Sequence, residues 1–196
     1  VKVLKKAVSS VVMLAMLLST ILVTGAQAAY ASTASVLAAG ELEVVNYTPV
    51  WGDVEVNVTA MTDMIESAAA QGVKIIVFPA MAVTGYMGEN DEALAYELAE
   101  PADGATAAAF AALADSLDMW IVYGGIESGD GGICNAQFAC SPDGEISVYE
   151  EIAPVNDMFT PGDYPVIIKT EWGNMGLMVG NDCLNLPEVE RYYAAK

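Results

Sequence analysis

The sequence predicts a mixed α/β domain, and three features carry that reading. Val73-Lys74-Ile75-Ile76-Val77-Phe78 is a short apolar run rich in β-branched residues, the pattern of a buried strand. Asp53 to Gln71, just before it, repeats apolar residues at helical spacing. Ile133 to Cys140 and Ile146 to Tyr149 are two further strand patterns, joined by Ser141-Pro142-Asp143-Gly144, a hairpin signal. Strands and helices that alternate in this way belong to the α/β class.

Residues 1–28 read as a signal peptide. Lys2, Lys5 and Lys6 form a positive start, Val11 to Val23 is the apolar core, and Ala26-Gln27-Ala28 fits a cleavage site after Ala28. The alternative is an uncleaved anchor, since Ala7 to Val23 is nearly long enough to span a bilayer. The expectation is an exported protein, with no membrane attachment once the leader is removed. Residues 29–40 are a linker of small residues, and the folded domain is expected over 41–196.

Glu41 to Tyr47 alternates as a first strand. In the helix over Asp53–Gln71, Val56, Ala60, Met64, Ile65 and Ala68 share the apolar face, Asp53 is the N-cap and Gly72 ends it. The buried strand then stops at Pro79, which has no N–H for a central ladder. A turn of small residues follows, with Gly85 free to take φ > 0. In an open α/β sheet, ligands bind beyond strand ends of this kind. Residues 80–86 are therefore the first candidate site, although Ala80, at the tip, carries no chemistry.

Asn90 to Glu100 and Ala105 to Leu117 read as helices separated by Pro101 and Gly104. Met119 to Gly124 reads as a strand, Gly125 to Gly132 as a turn, and Glu150 to Asp163 as a long loop. Tyr164 to Thr170 and Met175 to Val179 are strands around Trp172-Gly173-Asn174. Pro187 to Lys196 begins a helix with no C-cap signal, so the domain reads as C-terminally incomplete.

Composition excludes several functions. The chain has 26 acidic and 7 basic residues and no histidine. Beyond the leader only Lys74, Lys169, Arg191 and Lys196 oppose all 26 acids. Such a surface repels nucleic acid and anionic membrane. Without histidine, Ser-His-Asp and Cys-His catalysis and the usual zinc sites are ruled out. No cofactor is implied. Cys134, Cys140 and Cys183 form no CxxC. On one strand Cys134 and Cys140 would face the same side about 20 Å apart, too far to bond. Free, buried thiols are expected.

Three stretches, in order, resemble the carbon–nitrogen hydrolase (nitrilase) superfamily. The first is Ile75-Ile76-Val77-Phe78-Pro79-Ala80-Met81-Ala82-Val83-Thr84-Gly85-Tyr86, where the family has Glu after Phe-Pro. The second is Tyr149-Glu150-Glu151-Ile152-Ala153-Pro154 with Phe159-Thr160-Pro161-Gly162-Asp163, where the family has Tyr-Arg-Lys leading to Pro-Gly-Asp. The third is Gly176-Leu177-Met178-Val179-Gly180-Asn181-Asp182 with Pro187-Glu188 and Arg191-Tyr192-Tyr193-Ala194, where the family has Cys after the strand. The resemblance covers residues 41–196. It implies an αββα sandwich, often a homo-oligomer, acting on small amides or nitriles.

The family's chemistry uses Glu as general base, Cys as nucleophile through a thioester, and Lys to stabilise the developing negative charge. Carried over, these positions are Ala80 (general base), Glu151 (lysine) and Gly180 (nucleophile). None keeps the family's residue. Loss of a base costs ~10²–10⁴-fold, loss of an oxyanion donor ~10²–10³-fold, and glycine offers no nucleophile. The resemblance thus implies the scaffold of an amidase without its triad. Two alternatives remain: an active amidase that uses Cys183 as a displaced nucleophile, and a non-catalytic ligand-binding or assembly module. Asp157 stands near the family's second acid but reads as a solvated loop residue. Asp182 is expected to cap or orient the turn after it. Lys74 is expected to offset acidic neighbours. Thr84-Gly85-Tyr86 either lines a pocket or packs a turn. Asn57-Val58-Thr59 matches a glycosylation sequon but falls inside a predicted helix.

Overall fold

A computed structural model describes residues 37–87, 91–129 and 131–196. The leader and residues 29–36 of the linker lie outside the described residues. No described helix is long and apolar enough to cross a membrane.

Five strands form one sheet in the order β1-β2-β3-β4-β5: β1 (Leu42–Val44), β2 (Ile75–Val77), β3 (Trp120–Gly129), β4 (Gly132–Cys140) and β5 (Ile146–Glu150). The pairs β1–β2 and β2–β3 are parallel. The pairs β3–β4 and β4–β5 are antiparallel, the second as the Ser141–Gly144 hairpin signal requires. A second sheet pairs β6 (Val166–Thr170) with β7 (Gly173–Leu177). The helices are α1 (Val54–Ala70), α2 (Glu92–Leu98), α3 (Ala105–Leu117), the short α4 (Asp182–Asn185) and α5 (Pro187–Ala194).

Alternation along the strands gives each face of the large sheet its own core. On one face Ile76, Ile121, Tyr123 and Phe138 meet Met61 and Ile65 of α1 and Phe110 and Ala114 of α3. Tyr123 stacks on Phe138 at 5.0 Å and meets Phe110 edge-on at 4.9 Å, both favourable ring geometries. On the other face Ile75, Trp120, Val122, Ala139 and Tyr149 pack against Ile168 of β6, Leu177 of β7 and Val179. Helix α5 lies on β7: Gly176 leaves room for the ring of Tyr193, whose hydroxyl donates to Leu177 O at 2.5 Å and accepts from Val166 N at 3.1 Å. The layers therefore run α, β, β, α, the sandwich the resemblance implied.

Two sequence expectations are corrected. Gly125 to Gly132 is not a turn, because β3 continues to Gly129 and pairs with β4 along its whole length. Gly124, in the middle of that strand, reflects close approach: a Cβ there would lie 2.6 Å from Ala80 Cα and from Met81 N, so the backbone after β2 crosses this strand only over glycine. The buried face of α1 is also rotated. Val56 is exposed, whereas Asn57, Met61, Ile65 and Ala68 are buried. The polar Asn57 hid this face from a search for apolar periodicity.

Asn57 is 0% exposed, which is incompatible with glycosylation of the folded chain. It accepts from Tyr47 Oη and Val50 N, both at 2.8 Å, and donates to Val50 O at 2.7 Å and Val83 O at 2.9 Å. It thus ties the loop after β1 to the turn after β2. Asn57→Ala is expected to destabilise the fold by about 3 kcal/mol, because buried partners are left unsatisfied. Urea denaturation followed by circular dichroism would measure it.

Candidate functional site

Three strand ends meet beside the second core. Ala80 follows β2, Glu151 follows β5 and Gly180 lies three residues past β7. Ala80 packs in the apolar cluster that contains Tyr149, Ile152 and Val179, the near neighbours of Glu151 and Gly180. The turn after β2 is held in an uncommon conformation, with Met81 at φ 55° and 6% exposed. For a residue with a side chain that region costs about 1–3 kcal/mol.

Glu151 and Gly180 are in direct contact. Glu151 is 4% exposed. Its Oε1 accepts from Asn181 N at 2.5 Å and its Oε2 from Asn135 Nδ2 at 2.8 Å. A Cβ on Gly180 would run into Oε1, with Glu151 Cδ at 2.6 Å and Asn135 Nδ2 at 2.7 Å. Gly180 also has φ +63°, where L side chains are strained. The carboxylate of Glu151 therefore fills the space a side chain at position 180 would need. Its own backbone is fixed on both sides, by Glu151 N to Asn135 O at 2.8 Å and Gly162 N to Glu151 O at 2.9 Å.

Asp182 organises this corner from below and is 1% exposed. It accepts from Tyr149 Oη at 2.6 Å, Ile152 N at 2.6 Å and Ala153 N at 2.9 Å. Burial first, then the hydrogen bond to this carboxylate, pushes the Tyr149 hydroxyl well above its ordinary range. The expectation that Asp182 serves the turn after it is corrected: its side chain reaches back to the loop that carries Glu151. Asn181 adds Nδ2 to Ala153 O at 2.8 Å, so the segments around 151 and 180 are laced together from both sides.

Cys134, Cys140 and Cys183 are all free. The first two are buried as expected, whereas Cys183 is exposed on α4, because that helix turns it away from the core. Partial desolvation, then the charges of Asp182, Glu151 and Glu190, push its thiol above the ordinary value. Those carboxylates oppose the thiolate a nucleophile needs. Asp157 is exposed. Lys74 pairs with Asp118 at 2.9 Å on the surface, as a cation offsetting an acid. Thr84 is buried and lines a void of about 20 Å³ against Tyr123 and Phe138, enough for one water. Tyr86 is exposed.

Sequence reading missed Asn135. A lone Asn inside a strand gives no local signal, and its role depends on Glu151, 16 residues away. It also missed Glu127 of β3 and Glu150 of β5, which line a cleft on the other face of the sheet with Ala102, Ile146, Val148 and Tyr164.

A family model described as carbon–nitrogen hydrolase matches residues 41–196. No curated protein matches the chain. Among solved structures, an amidase from Nesterenkonia sp. superposes with a TM-score of 0.68 at 20% identity, covering 84% of this chain and 64% of that one. A cysteine-to-alanine variant of the Nesterenkonia AN1 amidase, of the nitrilase superfamily, gives TM-score 0.68 at 20% identity over 82% of this chain and 63% of that one. The same kind of variant in complex with butyramide gives 0.67 at 21% identity, covering 78% and 59%. The chain thus spans somewhat less than two thirds of these relatives, and at such identities the likeness is one of fold.

Proposed function

Because the chain belongs to the carbon–nitrogen hydrolase family, we propose that it is an amidase-fold protein whose catalytic positions are Ala80, Glu151 and Gly180 and which does not itself hydrolyse amides or nitriles. The observation that carries this is the contact between Glu151 and Gly180. Where a nucleophile and a cation would stand, there is a glycine backbone and a carboxylate, clamped by Asn135 and Asn181. A carboxylate there repels the oxyanion of a tetrahedral intermediate, the reverse of what catalysis requires. Ala80 offers no proton acceptor beside it. The retained scaffold suits a non-catalytic module, exported behind the leader cleaved near Ala28 and, as the family resemblance implies, assembling with copies of itself.

The Cys183 alternative finds less support, since that thiol is raised by partial desolvation and then by its acidic neighbours, and lies three residues beyond the strand-end position. Ammonia release from acetamide, butyramide, acrylamide and simple nitriles is expected to equal a protein-free blank. Cys183→Ala is expected to leave that result unchanged. Turnover above the blank that Cys183→Ala abolishes would overturn the proposal in favour of the displaced nucleophile.

A further inference from the structure

Two carboxyl groups meet over β4 on the helix-covered face of the large sheet. Glu127 projects from β3 opposite Cys134, and Glu150 projects from β5 opposite Ala136. Strand parity sends both to the face that carries Tyr123 and Ala136, and there they hydrogen-bond to each other. Two ionised carboxylates are acceptors only, so this bond needs a proton that one group holds and the other accepts. Glu127 is the holder. It is 8% exposed, whereas Glu150 is half-buried. Its Oε2 is shut off from solvent and has no partner, which is costly for an anion and far less so for the carbonyl oxygen of a neutral acid.

No other group near the pair takes the place of that proton. The ion pairs among the described residues are Lys74 with Asp118 and Arg191 with Glu188. On β4, the Cys134 thiol is pushed up to about 11 by burial and then by Glu150, Glu127 and Asp163, so it stays neutral near pH 7. Ahead of β3, Glu100 bridges to the backbone at Glu127, but its carboxylate is taken by Thr106 N at 2.9 Å and Thr106 Oγ1 at 2.8 Å. Ala102, Ile146, Val148 and Tyr164 complete the surroundings. The family's Tyr-Arg-Lys segment would put Arg at position 150; here Glu150 sets a second carboxyl beside the first.

We propose that Glu127 and Glu150 form a proton-held clasp from β3 to β5 across β4, a pH-sensitive latch on the end of β5. When it opens, the proton passes to solvent and two like charges are left facing each other across β4. Burial first, then the hydrogen bond to Glu150 and its charge, push the Glu127 carboxyl up to about 7. The folded chain thus keeps a proton that the unfolded chain has released. The stabilisation is complete below the ordinary carboxyl range, wanes as pH rises above it and is lost as pH passes about 7. The chain has no histidine, the side chain that ordinarily titrates in that window. Glu150 leads straight into Glu151, and Gly162 packs on it, where a Cβ would lie 2.5 Å from Glu150 O. The latch therefore holds the root of the loop that carries Glu151. It stands on the two carboxyls and does not rest on the hydrolase reading.

Urea unfolding of the full chain at pH 5 and at pH 8 tests it, in about 0.15 M salt so that repulsion across the acidic surface is screened beyond about 8 Å. The folding equilibrium constant of the unaltered chain is expected to fall at least about tenfold from pH 5 to pH 8. Glu127→Gln gives Glu150 a permanent N–H donor and is expected to abolish most of that fall. Glu150→Gln, which donates to Glu127 without a shared proton, is expected to do the same. Glu66→Gln, at an exposed position of α1, is the control and is expected to keep the fall. The α-amino group also titrates in this range, but it is common to every variant. At pH 5 the infrared spectrum of the unaltered chain is expected to show a protonated-carboxyl band in excess over Glu127→Gln, and at pH 8 none. Equal stability of the unaltered chain at the two pH values, or a fall that survives in both clasp variants, would overturn the proposal. So would the absence of the excess band.

Discussion

Replacing Asp182 with alanine is expected to destabilise the protein by about 4 kcal/mol, near the upper end for a single substitution. The carboxylate accepts three hydrogen bonds at 2.6 to 2.9 Å from Tyr149 Oη, Ile152 N and Ala153 N. Alanine would leave a buried phenol and two backbone N–H groups without partners. Each such group costs about 1–3 kcal/mol, and hydrogen bonds to charged groups are the stronger kind. Asp182→Asn keeps one acceptor oxygen and is expected to lose about half as much. Urea unfolding at constant m-value would measure both. A loss below about 1 kcal/mol for the alanine variant would mean that water replaces the carboxylate and that Asp182 is no structural hub.

The second large effect concerns chemistry. The combined variant Ala80→Glu, Glu151→Lys, Gly180→Cys, made in a Cys183→Ala background, is expected to form a covalent adduct with fluoroacetamide, seen by intact-mass spectrometry. A variant of the Nesterenkonia amidase adds the acetamide moiety of that reagent at its active-site cysteine. Gly180→Cys alone is expected to fail. The new Cβ would meet the Glu151 carboxylate, and a side chain at φ +63° costs roughly 1–2 kcal/mol. Glu151→Lys removes that carboxylate and supplies a cation that favours the thiolate. Absence of an adduct from a folded combined variant would show that the three positions are wrongly assigned. Effects within such a unit are not additive, so the single changes cannot be summed to predict the combined one.

The fold was legible because local signals and global packing agree. Helix α3 occupies Ala105–Leu117 as its pattern and flanking breakers required, and the hairpin at Ser141–Gly144 pairs β4 with β5. The errors share a cause: a residue chosen for something distant in sequence carries no local mark. Gly124 is there for Ala80, 44 residues earlier, and the glycines that follow it made the second half of a long strand look like a turn. Asn57 is there for Val50 and Val83, and displaced the apparent face of α1. Asp182 serves a loop about thirty residues before it. At the candidate site the motifs pointed to Ala80, Glu151 and Gly180, and Glu151 touches Gly180, but the clamp of Asn135 on Glu151 needed the folded chain. So did the Glu127–Glu150 cleft, whose carboxyls sit on strands that are not neighbours in the sheet.

The arrangement of the large sheet also bears on the order in which the chain can reach its native state. Strands β3, β4 and β5 form an uninterrupted meander within Trp120–Glu150, closed by short turns. The parallel pairing of β1 with β2 and of β2 with β3 must wait for the long crossovers through α1 and α3. Loop closure over such separations is slow relative to hairpin closure, so the meander is placed to act as the folding nucleus. The corner where Glu151 meets Gly180 joins the meander to a segment that follows it by about thirty residues, so it too waits on a closure longer than a hairpin's. Amide protection that is established first along β3, β4 and β5 during refolding is the expected sign of that order.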